Sequence, residues 1–230
     1  MRTLNRSAVP ALTTDQMRAV DQAMVEDLHI ELIQMMENAG RSLAELAITR
    51  FAPSSVTVLA GPGGNGGGGL VAARHLANRG SEVQVVFSKP DRLTPVPAHQ
   101  ADILARMGVT IASRPSTADL VIDALIGYSL RGDPAGATAE LITWANDQTA
   151  PVLALDTPSG LDLTTGAAGT PAVWATATLT LALPKVGLLD APAVGELYLA
   201  DISVPSLVYQ RMGIAVPELF RQSSLLQIDP

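Results

Sequence analysis

Two hundred and thirty residues, 47% of them hydrophobic, are enough to bury a sizeable core, which excludes a disordered chain. Fifteen basic against 22 acidic residues leave a formal net charge of −7, which excludes a broad nucleic-acid surface. The complete lack of cysteine excludes disulfides, thiolate metal sites and a cysteine nucleophile, and no apolar run reaches the ~18 residues of a membrane span. Residues 1–10 carry Arg2 and Arg6 but no apolar stretch of the secretory kind, so a cytoplasmic location is expected.

Thr13 opens the first predicted helix, because its hydroxyl can cap while Gln16, three residues on, reaches back. Met17, Val20 and Met24 follow at helical spacing. A second helix is predicted from about Glu31, with Leu32, Met35, Met36, Ala39, Leu43, Leu46 and Ala47 on one broad face. The methionines are read as core filler rather than a cofactor pocket. Past Pro53 the apolar run 56–60 predicts a strand, followed by the glycine stretch 61–69 as a loop and a helix over 70–78. Strands are then predicted at 83–87, 109–111, 120–125, 152–155, 177–183 and 196–200, with helices at 98–107 and 138–147. No element is assigned beyond Pro205. Strands alternating with helices imply one α/β domain over residues 1–230, with a mostly parallel sheet covered on both faces. Ligands bind such sheets in the crevice outside the strand C-terminal ends.

Three loops fall at that edge. In the first, glycines allow φ > 0 and remove the Cβ atoms that would keep a backbone from an anion, while the following helix offers free N–H groups. No Gly-Lys-Ser/Thr ends the stretch, so it is not a P-loop; the plain alternative is a turn with no ligand. In the second, Asp123 ends an apolar run, where a carboxylate needs a cation or backbone N–H groups to satisfy it; the alternative is a turn cap. In the third, Asp156 ends another apolar run, and Pro158 and Gly160 stiffen the loop that holds Ser159. His29, His75 and His99 are too scattered to suggest a zinc site or a base for Ser159, and all three are expected on the surface.

These loops, with Leu183-Pro184-Lys185-Val186-Gly187-Leu188 and Gly195-Glu196-Leu197-Tyr198-Leu199-Ala200-Asp201-Ile202, make the chain resemble the YjeF N-terminal family, the NAD(P)H-hydrate epimerases. The resemblance covers nearly the whole chain. It implies a Rossmann-like three-layer α/β/α sandwich with two N-terminal helices, assembled as a homodimer, that interconverts the C6 epimers of hydrated NADH and NADPH. It implies a potassium ion held by Asn65, Asp123 and Ser159. Contacts to the small-molecule substrate map to Gly64, Asn65, Gly66, Gly67 and Gly68. They continue at Gly127, Tyr128, Ser129, Leu130, Arg131, Gly132 and Asp133, and at Asp156. Asp156 matches the proton-transfer position, and Lys185 a lysine that could stabilise negative charge. Asp156→Asn is therefore expected to cost turnover with little change in stability.

The chain departs from the family's glycine pattern, G-x-G-N-N-G-G-D-G. Gly64 stands for the first asparagine and Gly68 for the aspartate, and Tyr128-Ser129 replaces Thr-Gly. Restoring Gly64→Asn with Gly68→Asp is expected to return family-like contacts. Three readings stay open on these residues: a working epimerase with a relaxed loop, the same crevice turned to another metabolite, or a non-catalytic binding or scaffold module.

Overall fold

The structure is a computed structural model that describes residues 1–130 and 132–229; the expected substrate-loop residue Arg131 lies outside the described residues. The two N-terminal helices are α1 (Thr14–Gln22), which runs on through a wider π turn at Ala23–Asp27, and α2 (Leu32–Phe51). Both start in capping boxes. Thr13 and Gln16 exchange hydrogen bonds of 2.9 and 3.2 Å at α1, and Glu31 and Gln34 are paired in the same way at α2. Ala52, at φ 46°, then turns the chain into the sheet.

The strands are β1 (Arg2–Asn5), β2 (Ser55–Ala60), β3 (Glu82–Phe87), β4 (Thr110–Ala112), β5 (Leu120–Ala124), β6 (Val152–Leu155), β7 (Ala177–Leu181), β8 (Glu196–Ala200) and β9 (Leu225–Asp229). Between them run α3 (Gly64–Asn78), α4 (Pro95–Arg106), α5 (Ala137–Asn146) and α6 (Ser206–Arg211). All nine described strands join one sheet in the order β1-β9-β8-β7-β6-β5-β2-β3-β4, parallel except for β8 with β9. The expected α/β/α sandwich is thus borne out. Strands β2 to β8 fall within one or two residues of expectation, whereas β1 and β9 were not foreseen.

Side-chain alternation makes the layers. Val56, Val58 and Ala60 of β2 enter the core under α2, α3 and α4, while Leu59 enters the core under α5. On β8, Tyr198 and Ala200 join the first of these cores, and Leu197 and Leu199 pack on the face covered by α1 and α6. From β2 the chain proceeds outward to β3 and β4; from β5 it proceeds the other way to β6 and β7. The order reverses between β2 and β5, and a crevice opens there at the strand ends. Among the described residues no helix is long and apolar enough to cross a membrane.

Candidate active site

Only residues 61–63 of the glycine stretch form a loop. Gly64 to Gly69 form the first turns of α3, and none of Gly61 to Gly69 has a left-handed φ. Their reason is space. A Cβ on Gly66 would lie 1.9 Å from the Gly61 carbonyl oxygen, one on Gly67 2.6 Å from Met36 Sδ, and one on Gly69 2.5 Å from the Ala124 Cβ. Gly64 alone among these helical glycines is exposed, and a Cβ added there would meet only Met36 Cε, at 3.5 Å. Gly68 is tighter: an added Cβ would come within 2.7 Å of Leu155 Cδ2. An aspartate at 68 therefore requires the end of the Leu155 side chain to shift, so the Gly64→Asn, Gly68→Asp pair carries that displacement with it.

Asp123, on β5, has no exposed surface. Its Oδ2 accepts from the Ser159 N–H at 2.7 Å, and its Oδ1 accepts from the Ser159 hydroxyl at 2.6 Å and the Leu125 N–H at 3.1 Å. The Ser159 hydroxyl in turn accepts from the Ile126 N–H at 2.9 Å. Burial pushes the Asp123 carboxyl up to about 6, against the pull of these hydrogen bonds. Asn65 stands in the first turn of α3 beside Gly127, whose missing Cβ would sit 3.5 Å from the Asn65 Oδ1. The buried Nδ2 of Asn65 has no partner among the described residues. Turning that amide over presents an oxygen to the same space instead. A carboxylate that burial disfavours as an anion, a hydroxyl and an unmatched amide are donors of the kind a hard cation takes.

Asp156 closes β6 in the left-handed region, at φ 65°, with its N–H donating to Leu179 O at 2.7 Å. Aspartate tolerates that conformation better than most residues, and it swings the carboxylate out of the strand direction. There it meets Lys185, whose ammonium donates to Asp156 Oδ1, to Thr180 Oγ1 at 3.2 Å and to Leu181 O at 3.0 Å. The two side chains are 6% and 1% exposed. Backbone bonds from Leu12 N to Pro184 O (2.8 Å) and Val186 N to Leu12 O (3.0 Å) clamp the lysine from the N-terminal segment.

One cavity of about 660 Å³ joins these groups. Gly64, Asn65 and Gly68 line it from α3, and Asp156 and Lys185 from the strand ends. Gly127, Tyr128, Ser129, Leu130 and Asp133 line it from the loop after β5. Gly66, Gly67 and Gly132 lie away from its wall, and Asp123 and Ser159 sit behind the Leu125–Gly127 turn. Asp133 uses a carboxylate oxygen to hold the Thr170 N–H at 3.0 Å. Met17, Met35 and Met36, read as core filler, are buried and also form part of the wall. His75 departs from expectation as well, being part-buried against Glu37 at 2.8 Å.

Sequence reasoning missed Asp21. It lines the cavity from α1 and accepts a hydrogen bond from the Tyr128 hydroxyl. Burial raises the Asp21 carboxyl, the Tyr128 bond opposes this, and the charges of Asp156 and Lys185 pull in opposite directions. Tyr128 is itself raised, first by burial and then by Asp21. The signal was present: Asp21 follows Met17 by four residues and so sits on the apolar face of its helix.

The family described as YjeF-related protein N-terminus matches residues 32–187, which contain the cavity's glycine helix, both aspartate loops and Lys185. The chain belongs to that family. A relative from Dehalogenimonas lykanthroporepellens, named NAD(P)H-hydrate epimerase, is 44% identical over 92% of this chain and 89% of its own length. Another, from Hyperthermus butylicus and named bifunctional NAD(P)H-hydrate repair enzyme Nnr, is 43% identical over 85% of this chain; the match spans 38% of that longer protein. The crystal structure of yeast ynu0 shares the fold, with a TM-score of 0.85 over 95% of this chain and all of that one at 21% identity.

Proposed function

We propose that this member of the YjeF N-terminal family is an NAD(P)H-hydrate epimerase. The observation that carries the reading is the buried Asp156–Lys185 pair, set in the wall of a cavity that the first turn of α3 also lines. The relatives' names agree with it. Inverting C6 of the hydrated ring requires either loss of the C6 hydroxyl or opening of the ring, then return from the other face. Either route needs one proton given and one taken at the reacting centre. Asp156 is the group we assign to that transfer, with the Lys185 ammonium beside it to offset negative charge. The free N–H groups at the start of α3 suit the substrate's diphosphate. Gly64, which is exposed, leaves room for the ligand where the family's glycine pattern carries asparagine.

Asn65, Asp123 and Ser159 are the residues that would hold a potassium ion. Bound there, the ion supplies fixed positive charge beside the cavity and ties together the loops after β2, β5 and β6. A homodimer and a cytoplasmic setting belong to the same reading, carried by the family resemblance and by a substrate derived from the reduced cofactors of the cell interior. The test is direct. The purified protein, given the R epimer of hydrated NADPH in potassium buffer, should bring it to equilibrium with the S epimer far faster than buffer alone. Equal rates with and without protein would overturn the proposal.

A further inference from the structure

Ser88 and Lys89 follow β3 and line the cavity at a place used by none of the groups above. Ser88 is 5% exposed, and its buried hydroxyl has no hydrogen-bond partner among the described residues. A buried polar group left in that state calls for a partner supplied from elsewhere. Lys89 is exposed and joins no ion pair among the described residues. The loop is not loosely placed. Ser88 N donates to Ala60 O at 3.0 Å, and Thr94 donates to Pro62 O through its N–H at 2.9 Å and its hydroxyl at 3.2 Å. These bonds fix the loop to the turn that enters α3.

The sheet order says which part of a dinucleotide reaches this point. The order reverses between β2 and β5, so the ligand straddles that crevice with its diphosphate at the N-terminus of α3 and one nucleoside on each side. Asp156 and Lys185 lie on the β6 side, which takes the hydrated nicotinamide. The adenosine then lies on the β3 side. In sheets of this kind the end of the strand after the glycine-led helix reads the ribose: an acid there accepts the 2′-hydroxyl, and a cation accommodates a 2′-phosphate. This chain has a hydroxyl and a free ammonium; Asp91, the next acid, is exposed and off the cavity wall. We propose that Ser88 and Lys89 bind the 2′-phosphate of the adenosine ribose and make hydrated NADPH the preferred substrate over hydrated NADH. The inference rests on the epimerase reading and names which of its two substrates the site selects.

The experiment compares kcat/KM on the two hydrates. The wild type should favour hydrated NADPH, and Lys89→Ala should lower the NADPH-to-NADH ratio by roughly ten- to a hundredfold, chiefly through KM. Ser88→Ala should lower the same ratio by less. Equal use of both hydrates by the wild type, or an unchanged ratio in Lys89→Ala, overturns the inference. Titration with 2′,5′-ADP and 5′-ADP separates this outcome from failure of the epimerase reading, because it needs no turnover. Tighter binding of 2′,5′-ADP that Lys89→Ala abolishes supports the site even where neither hydrate is converted. Equal affinity for the two nucleotides overturns it.

Discussion

Lys185 is buried, and its ammonium meets a carboxylate, a hydroxyl and a carbonyl. Asp156 is therefore a structural partner as well as the proposed proton carrier, and the expectation that Asp156→Asn leaves stability untouched does not survive. Removing one member of a buried ion pair strands the other, at a cost of about 3–5 kcal/mol. Asp156→Asn should lose that much stability in a denaturant melt, and turnover on hydrated NADPH should fall by roughly 10²–10⁴-fold. Adding Lys185→Met removes the stranded charge and should restore most of the stability without restoring turnover. A single variant as stable as the wild type would show that the pair is not buried as described. At this scale Asp123 and Asp156 were legible because a carboxylate at the end of an apolar run demands a partner, and Ser159 because Pro158 and Gly160 stiffen the loop that holds it. Asp21 left a signal that went unused, an acid on the apolar face of α1, whereas Ser88 left none, since one serine after a strand is ordinary until the cavity joins it.

Among the elements, α3 shows where reading by local preference stops. Glycine costs a helix about 1 kcal/mol per residue relative to alanine, so a run of glycines reads as a loop. Tertiary packing overrides this, because Gly66 and Gly69 lie against Gly61 and Ala124, and a Cβ on Gly40 of α2 would come 2.4 Å from Val71. Gly66→Ala should therefore destabilise by at least about 1–3 kcal/mol despite its better helix propensity, while Gly64→Ala should be neutral or slightly stabilising. Urea melts of the two variants check this; a stabilised Gly66→Ala would mean the close approach is absent. A second contact joins α2 to the sheet. Arg50 donates to both Glu196 oxygens, at 2.9 and 2.7 Å, and Tyr198 donates to the same carboxylate at 2.6 Å. The Arg50 bonds, helped by Tyr198, draw Glu196 from 4.5 down to about 2. A lowered carboxyl stabilises the fold above its unfolded value and loses that contribution as pH falls through the folded one. Both side chains are more than a third exposed, so about 0.5–1 kcal/mol is the scale. The stability gap between wild type and Glu196→Gln should be constant above about pH 5.5 and close between pH 4.5 and 2. A gap that persists at pH 2 would assign it to packing rather than charge.

At the scale of the whole molecule, the helices α3, α4 and α5 between successive strands from β2 to β6 made the sandwich legible, because each of these crossovers is local in sequence. The remaining edge was not. β1 pairs with β9, Arg2 opposite Leu226, and no pattern in either short segment announces a partner more than two hundred residues away. The same non-local logic governs the crevice, where the loops after β2, β5 and β6 converge although Asn65, Asp123 and Ser159 are far apart in the chain. The Asp123–Ser159 contact already closes two of these loops, while the Asn65 amide nitrogen has no partner among the described residues and Asp123 bears the penalty of burial. An ion that binds only the folded arrangement adds stability by mass action, about 2.7 kcal/mol at a hundred times its dissociation constant. The melting temperature should therefore rise with potassium chloride over choline chloride at equal ionic strength. Asp123→Asn should remove that difference while leaving general salt effects in place. Identical melting curves in the two salts, up to concentrations that saturate weak cation sites, would remove potassium from the proposed function and leave Asp123 as a purely structural clasp on Ser159.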